Sequence, residues 1–184
     1  MRRRSWAVLA CALGLSAPAL AGEERFDGVV TRVSDGDTVW VRPETDRAQP
    51  RRKPVKVRLV GLDAPERCQA HGAEASVALS DRVLGRRVQV LRRATDTHGR
   101  ALGTLWLGSQ DVGAWLVREG HAWSARYRGD PGPYAAEEQA ARSARRGLFA
   151  AADAVEPRDF RRRHGPCDDP LSRPAPPARS SGPG

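Results

Sequence analysis

The stretch spanning residues 55–66 constrains the fold most, because it alternates like a β-strand and then stops at a proline. Alternate side chains of a strand face opposite sides of a sheet, so Arg58 falls on the face opposite its valine and leucine neighbours. Pro65 cannot donate a ladder hydrogen bond, and the strand must end before it. A cation in an apolar strand, followed by carboxylates, needs a compensating partner. One interpretation is purely structural, an ion pair from Arg58 to Asp63 or Glu66 that closes a surface loop.

Residues 1–21 have the pattern of an export signal. Three arginines precede a short apolar run, and Ala19 and Ala21 form a small-x-small cleavage motif. The apolar run is too short to span a bilayer, and no later stretch is long enough to do so. An alternative is a lipoprotein anchored through Cys11. We expect cleavage after Ala21 and a location in the periplasm or outside the cell.

Composition divides the rest of the chain into one domain, residues 22–150, and a tail, residues 151–184. The tail begins with the basic cluster Arg161 to Arg163 and becomes rich in proline, serine and glycine. Its end cannot bury enough apolar surface to order itself and is expected to be disordered. The net charge is +9, or +6 without the signal, and arginine supplies nearly all of it. Arginine matches phosphate, so a polyanionic partner fits, although a GC-rich genome would give the same bias.

Two cysteines remain after the signal, Cys68 and Cys167. An even pair in an exported protein could form a disulfide, which would tie the loop after Glu66 to the tail. The spacing alone does not establish that bond. No pair of CxxC motifs indicates a zinc site.

Hydrophobic periodicity predicts five strands and three helices. The strands are expected at 26–33, 38–41, 55–62, 86–93 and 101–107, and the helices at 73–84, 111–119 and 134–146. Short, mostly antiparallel strands with inserted helices favour an α+β fold that is predominantly β, a closed five-stranded OB-fold barrel with three helices. Such barrels bind oligonucleotides across one face, which is an argument from analogy of fold.

Several polar motifs then fall into a specific order. They are Ser34–Val39, Val57–Glu66, Gly72–Ala75, Asp96–Arg100 and Leu116–Gly120. Each is weak alone, since a turn such as Asp35-Gly36-Asp37 is ordinary hairpin chemistry. Their order and spacing from Phe26 to Phe149 resemble the thermonuclease (staphylococcal nuclease-like) family.

The resemblance implies an OB barrel with three helices and calcium-dependent hydrolysis of the phosphodiester bonds of DNA and RNA. By position, the calcium ligands would be the carboxylates of Asp37 and Asp63 and the main-chain carbonyl of Ala64. The phosphate would be held by Arg58 and Arg100. Glu66 would activate or orient the attacking water.

The chemistry of phosphodiester cleavage requires residues of these types. The substrate is an anion that repels hydroxide, and charge builds on its oxygens as the bond breaks. A hard cation on oxygen ligands neutralises part of that charge, and arginines can bind the phosphoryl oxygens. A nearby carboxylate can position or deprotonate the water.

Two positions depart from the family pattern or align loosely. His98 stands where an aromatic hydroxyl residue is expected, and Tyr127, between two arginines, is a loose match for a substrate-contacting surface. Two other hypotheses remain open: a catalytically weak nuclease-like OB module that only binds nucleic acid, and an exported interaction module acting through Arg161 to Arg163 and the tail. We expect the protein to act as a monomer.

Overall fold

The computed structural model describes residues 23–44, 52–165 and 167. The predicted signal at 1–21 and the end of the predicted tail, residues 168–184, lie outside the described residues. Among the described residues, no helix combines the length and apolarity needed to cross a membrane.

Eight strands and four α-helices make up the described chain. The strands are β1 (Glu24–Asp35), β2 (Thr38–Pro43), β3 (Val55–Leu59), β4 (Leu62–Asp63), β5 (Arg87–Thr95), β6 (Ala101–Leu107), β7 (Gln110–Asp111) and β8 (Trp123–Ser124). The helices are α1 (Gly72–Val83), α2 (Val112–Arg118), α3 (Ala135–Ser143) and α4 (Pro157–His164), with a 3-10 turn at Gly147–Ala150 before α4.

Five of the strands close into a barrel. β1 pairs antiparallel with β2 and β5, β2 pairs with β3, and β5 pairs with β6. The parallel pairing of β3 with β6, which aligns Val57 with Ala101, closes the circuit. This is the predicted OB-type barrel, and the structure confirms it.

Strand alternation explains where the core lies. The inward residues of β2 and β3 are buried, with Val39, Val41 and Val57 at 0% exposure. Arg58 follows Val57 along β3, and its side chain therefore lies on the outer face of the barrel. Helices α1 and α2 cover the barrel through Leu79 and other fully buried residues. The outer face of β3 is therefore free to carry polar side chains.

Helix α4 is an addition to the three predicted helices. Pro157 begins it and Asp159 lies in its first turn, both favourable at a helix start because Pro needs no amide donor there and a carboxylate opposes the helix dipole. Gln69 donates to the carbonyl of Val155 at 2.6 Å, and Arg126 donates to Glu156 at 2.8 Å. These contacts hold the segment before α4 against the domain.

Candidate active site

The turn between β1 and β2 places Asp37 beside the end of β3. Gly36 makes this possible, because a Cβ at that position would lie 2.8 Å from the Cβ of Ala64 and 3.0 Å from that of Ala75. The main-chain amide of Leu59 donates to the carbonyl of Asp37 at 2.8 Å. The turn is thus packed directly against the segment that carries the other carboxylates.

Asp37 is buried, with 3% exposure. One carboxylate oxygen accepts from the hydroxyl of Thr38 at 2.9 Å, and the other contacts Nη2 of Arg58 at 2.9 Å. Burial raises the pKa of Asp37 to about 7 even though the charge of Arg58 lowers it, and the nearby Asp35 raises it further. Burial therefore disfavours the ionised carboxylate more than the charge of Arg58 favours it.

Arg58 connects two carboxylates. Its Nη2 also donates to Oδ1 of Asp63, at 3.3 Å. Asp63 is fixed in β4, where it pairs with Trp123 of β8. The structural ion pair considered from the sequence is therefore present, and it lies inside the cluster that the motifs predicted.

Glu66 is positioned by the loop that follows Pro65. The side chain of Gln69 accepts from the amide of Glu66 at 3.1 Å, while the amide of Gln69 donates to the carbonyl of Glu66 at 2.8 Å. A Cβ at Gly72 would lie 1.9 Å from that same carbonyl, so the start of α1 is packed tightly on Glu66. The loop from Glu66 to Gly72 is thus fixed by hydrogen bonds to Gln69 and by the close packing of Gly72.

These residues open onto one cleft of about 710 Å³. Its walls include Asp37, Arg58, Ala64 and Glu66. Asp63 joins them through its bond to Arg58. The structure thus brings together five of the six predicted site residues.

Arg100 is the sixth predicted residue, and its side chain is engaged elsewhere. Its Nε donates to Oδ2 of Asp96 at 2.6 Å, and its amide donates to Oδ1 of Asp96 at 2.8 Å. It directly precedes β6, whose Ala101 is aligned with Val57, so its backbone lies beside the strand that carries Arg58. Among the described residues, no hydrogen bond or ion pair joins Arg100 to Asp37, Asp63 or Glu66.

Arg161 of α4 also belongs to the cluster, a contact that none of the sequence motifs indicates. Its guanidinium donates to Asp63 through Nη2 at 2.9 Å and Nη1 at 3.3 Å, and to Oε1 of Glu66 at 2.7 Å. These bonds raise the pKa of Arg161 further above its usual range. A charged residue 98 positions along the chain from Asp63 therefore neutralises two of the predicted site carboxylates.

Comparison with known proteins identifies the family. The model of the staphylococcal nuclease homologue family matches residues 56–151. The chain is 38% identical over 176 residues to Protein ParB of Escherichia coli, covering 88% of this chain and 95% of that protein. It is 36% identical over 165 residues to a micrococcal nuclease of Shigella flexneri (83% and 88% covered), and 33% identical over 134 residues to an uncharacterized endonuclease of Haemophilus influenzae (72% and 71%). The chain belongs to the staphylococcal nuclease family.

The residues matched by the family include most of the cluster, but not its first and last members in sequence. Arg58, Asp63 and Glu66 lie within the matched residues, whereas Asp37 precedes them and Arg161 follows them. The structure joins these two outlying residues to the matched ones through side-chain contacts. A sequence signal for Arg161 existed in the helix-start pattern at Pro157 and in the nearby Cys167, but neither indicates what the helix contacts.

The donor atoms in the cleft fit a hard cation such as calcium. Carboxylate and carbonyl oxygens are the ligands that Ca²⁺ prefers, and the carboxylates of Asp37 and Glu66 line this cleft. Within the described ranges, no group of three or more His, Cys, Asp and Glu side chains is arranged to hold a metal ion. A cation here would therefore need further oxygen ligands, from the main chain of Ala64 or from water.

Outside the residues that line this cleft are His98, Tyr127 and Trp123. His98 is an exposed turn residue, Tyr127 is 66% exposed with Arg128 over its ring, and Trp123 is buried at 3% exposure in a second small core. Cys68 and Cys167 meet in the structure, with their sulfur atoms joined and their Cα atoms 5.7 Å apart. This contact lies at the end of the segment that carries Arg161.

Proposed function

We propose that the protein is an exported, calcium-dependent nuclease that hydrolyses phosphodiester bonds of DNA, RNA or both. The observation that carries this proposal is that Asp37 and Asp63 both pair with Arg58, and that Glu66 lines the same open cleft. Family membership supports nuclease chemistry, and relatives are named as nucleases or endonucleases.

Each residue has a role that follows from its chemistry. Asp37 and Asp63, with the carbonyl of Ala64, would hold the cation, which supplies charge neutralisation of the phosphoryl oxygens and a site for water. Arg58 would bind a phosphoryl oxygen from the outer face of β3. Glu66 would orient the water or accept its proton.

Arg100 would serve as the second phosphate-binding arginine. It is held by Asp96 at the start of β6, beside the strand of Arg58. Exchange of its carboxylate partner for a phosphoryl oxygen would allow it to stabilise the charge that develops in the transition state.

A digestion experiment tests the proposal. The purified protein should degrade nucleic acid with calcium, lose that activity when a chelator is added, and be severely impaired by Glu66→Gln. Activity that survives both the chelator and Glu66→Gln would contradict the assigned chemistry.

The contact of Arg161 with Asp63 and Glu66 favours one alternative, a weak nuclease-like module that binds nucleic acid. Arginines already neutralise the predicted catalytic acids in this arrangement. Binding of an oligonucleotide without calcium-dependent cleavage in the same experiment would support that alternative.

Export and the disulfide belong to the same proposal. Cys68 and Cys167 meet in the structure, and a stable disulfide requires an oxidising compartment outside the cytosol. We propose cleavage of the signal after Ala21 and a monomer in which these cysteines are bonded. Mass spectrometry of the secreted protein would test both, since the mature chain should begin at Gly22 and contain no free thiol.

A further inference from the structure

The outer face of β1, β2 and β3 carries three side chains in a row beside the active cleft. Arg32 is aligned with Trp40 across the β1–β2 pair, and Trp40 is aligned with Lys56 across the β2–β3 pair. The guanidinium of Arg32 lies 5.0 Å from the centre of the Trp40 ring, and the ammonium of Lys56 lies 5.8 Å from it. The indole donates to the hydroxyl of Ser34 at 3.1 Å, which fixes the ring. We call Arg32, Trp40 and Lys56 the cross-strand triplet.

The triplet is continuous with the cleft that holds the carboxylates. Arg32, Ser34 and Lys56 line the same 710 Å³ cleft as Arg58 and Glu66. Along β3, Lys56 and Arg58 are two residues apart and on one face, so roughly 6.6 Å separates their backbone positions. That is about the spacing of consecutive phosphates along an extended nucleic-acid strand.

The two cations of the triplet are not neutralised by the described part of the protein. Ion pairs among the described residues engage many other arginines, but none engages Arg32 or Lys56. Two like charges near one aromatic ring repel each other, and an anion bound between them would offset that repulsion. The electron-rich ring face offsets only part of that repulsion.

We propose that the cross-strand triplet is a subsite for the phosphate next to the cleaved bond of the substrate strand, with Trp40 acting as a support that holds Arg32 and Lys56 in place. This inference rests on the proposed nuclease function and extends it, because it assigns the direction in which the strand leaves the cleft. The strand passes from Arg58 across the outer face of β2 towards β1. Its bases need not be read, since the contacts are to phosphate.

The first experiment measures binding without cleavage. Dissociation constants of a labelled single-stranded oligonucleotide are determined in chelator over a series of salt concentrations, for the wild type and for Arg32→Gln/Lys56→Gln. Loss of one phosphate contact should reduce the slope of log K against log salt by roughly 0.7. Arg25→Gln, on the same strand but away from the cleft, is the matched control and should leave the slope unchanged. An equal slope in the double variant and the wild type would overturn the proposal.

The second experiment separates the subsite from the site of chemistry. The ratio of kcat/KM for a tetranucleotide to kcat/KM for a single nitrophenyl phosphodiester of one nucleoside should fall about tenfold in the double variant, because only the longer substrate has a neighbouring phosphate. Trp40→Ala should lower the ratio in the same direction, and Trp40→Phe should restore much of it. Equal losses on both substrates would contradict the subsite. A wild type that cleaves neither substrate would refute the nuclease function and leave the salt-slope result to judge the subsite.

Discussion

Arg161 donates two hydrogen bonds to Asp63, from Nη2 to Oδ2 at 2.9 Å and from Nη1 to Oδ1 at 3.3 Å, across 98 positions of the chain. The same guanidinium reaches Glu66 at 2.7 Å. The end of the described chain therefore supplies a counter-ion to acids proposed for cation binding and water activation. A cation that binds to Asp63 must share that carboxylate with Arg161 or displace it.

Arg161→Gln should therefore bind calcium more tightly than the wild type. Removing a positive charge a few ångströms from a cation lowers the repulsion by about 1 kcal/mol or more, which corresponds to an affinity about fivefold higher. Isothermal titration calorimetry measures this directly. Arg161→Lys should lie near the wild type, and Arg162→Gln, which loses only an exposed pair with Asp159, serves as control. A calcium affinity that is unchanged or weaker in Arg161→Gln would contradict the counter-ion role.

Arg58→Ala and Arg100→Ala should each lower kcat by about 10²–10³, since each would remove a proposed donor to the phosphoryl oxygens. Steady-state kinetics with a defined oligonucleotide gives the values, and circular dichroism should show a retained fold. Arg25→Ala is an exposed control on β1. Near-normal turnover in either active-site variant would remove that arginine from the mechanism.

The histidine pair at the start of α1 predicts a pH-dependent stability. Nε2 of His71 lies 3.2 Å from Nδ1 of His121, and their rings are stacked with centres 5.4 Å apart. Burial lowers the pKa of both imidazoles, the neighbouring His71 lowers that of His121 further, and Glu74 and Glu119 offset this only in part.

Since the folded pKa values lie below 6.5, the unfolded chain takes up protons first as the pH falls below that value. The histidine pair therefore contributes a stability that is greatest above pH 6.5 and decreases below it, whereas Asp37, with its pKa raised to about 7, contributes in the opposite direction. Urea unfolding should show that His71→Gln/His121→Gln loses less free energy of unfolding than the wild type as the pH falls below 6.5. His98→Gln, in an exposed turn, should follow the wild type. If the free energy of unfolding depended on pH equally in the double variant and the wild type, groups other than these histidines would govern stability below pH 6.5.

The pairing of Cys68 with Cys167 predicts a stability that depends on oxidation. A bond closing a loop with a sequence separation of 99 should stabilise the native state by about 2–5 kcal/mol. A reductant should lower the thermal midpoint of the wild type and leave that of Cys68→Ser/Cys167→Ser unchanged. Identical midpoints with and without reductant in the wild type would show that the bond does not form.

Much of the barrel could be predicted from the sequence because its signals are local. Alternation identified the strands, and Gly and Pro marked where they end, as at Pro65. Glu138 and Arg142 of α3 are four positions apart, a spacing that favours an ion pair on a helix, and their side chains lie 2.7 Å apart. The carboxylate cluster was recognised only because several weak turns occur together in a known order.

The rest depended on contacts that no short stretch encodes. Arg161 lies in a row of three arginines, and the sequence does not indicate which of them turns towards Asp63. The stacking of His71 on His121 joins residues 50 positions apart. Likewise, Trp40 could be assigned to a strand, but its two cationic neighbours follow from the registers of β1 and β3.

The parallel pairing of β3 with β6 gives the strand of Arg58 a neighbour on each side. At Val57 and Arg58, which have a paired strand on both sides, a substrate strand can be bound by side chains but cannot be added to the sheet as a further strand. The backbone of Arg58 cannot shift without disturbing its pairing with β2 and β6. We therefore expect Arg58 to keep its position on heating until the barrel itself unfolds.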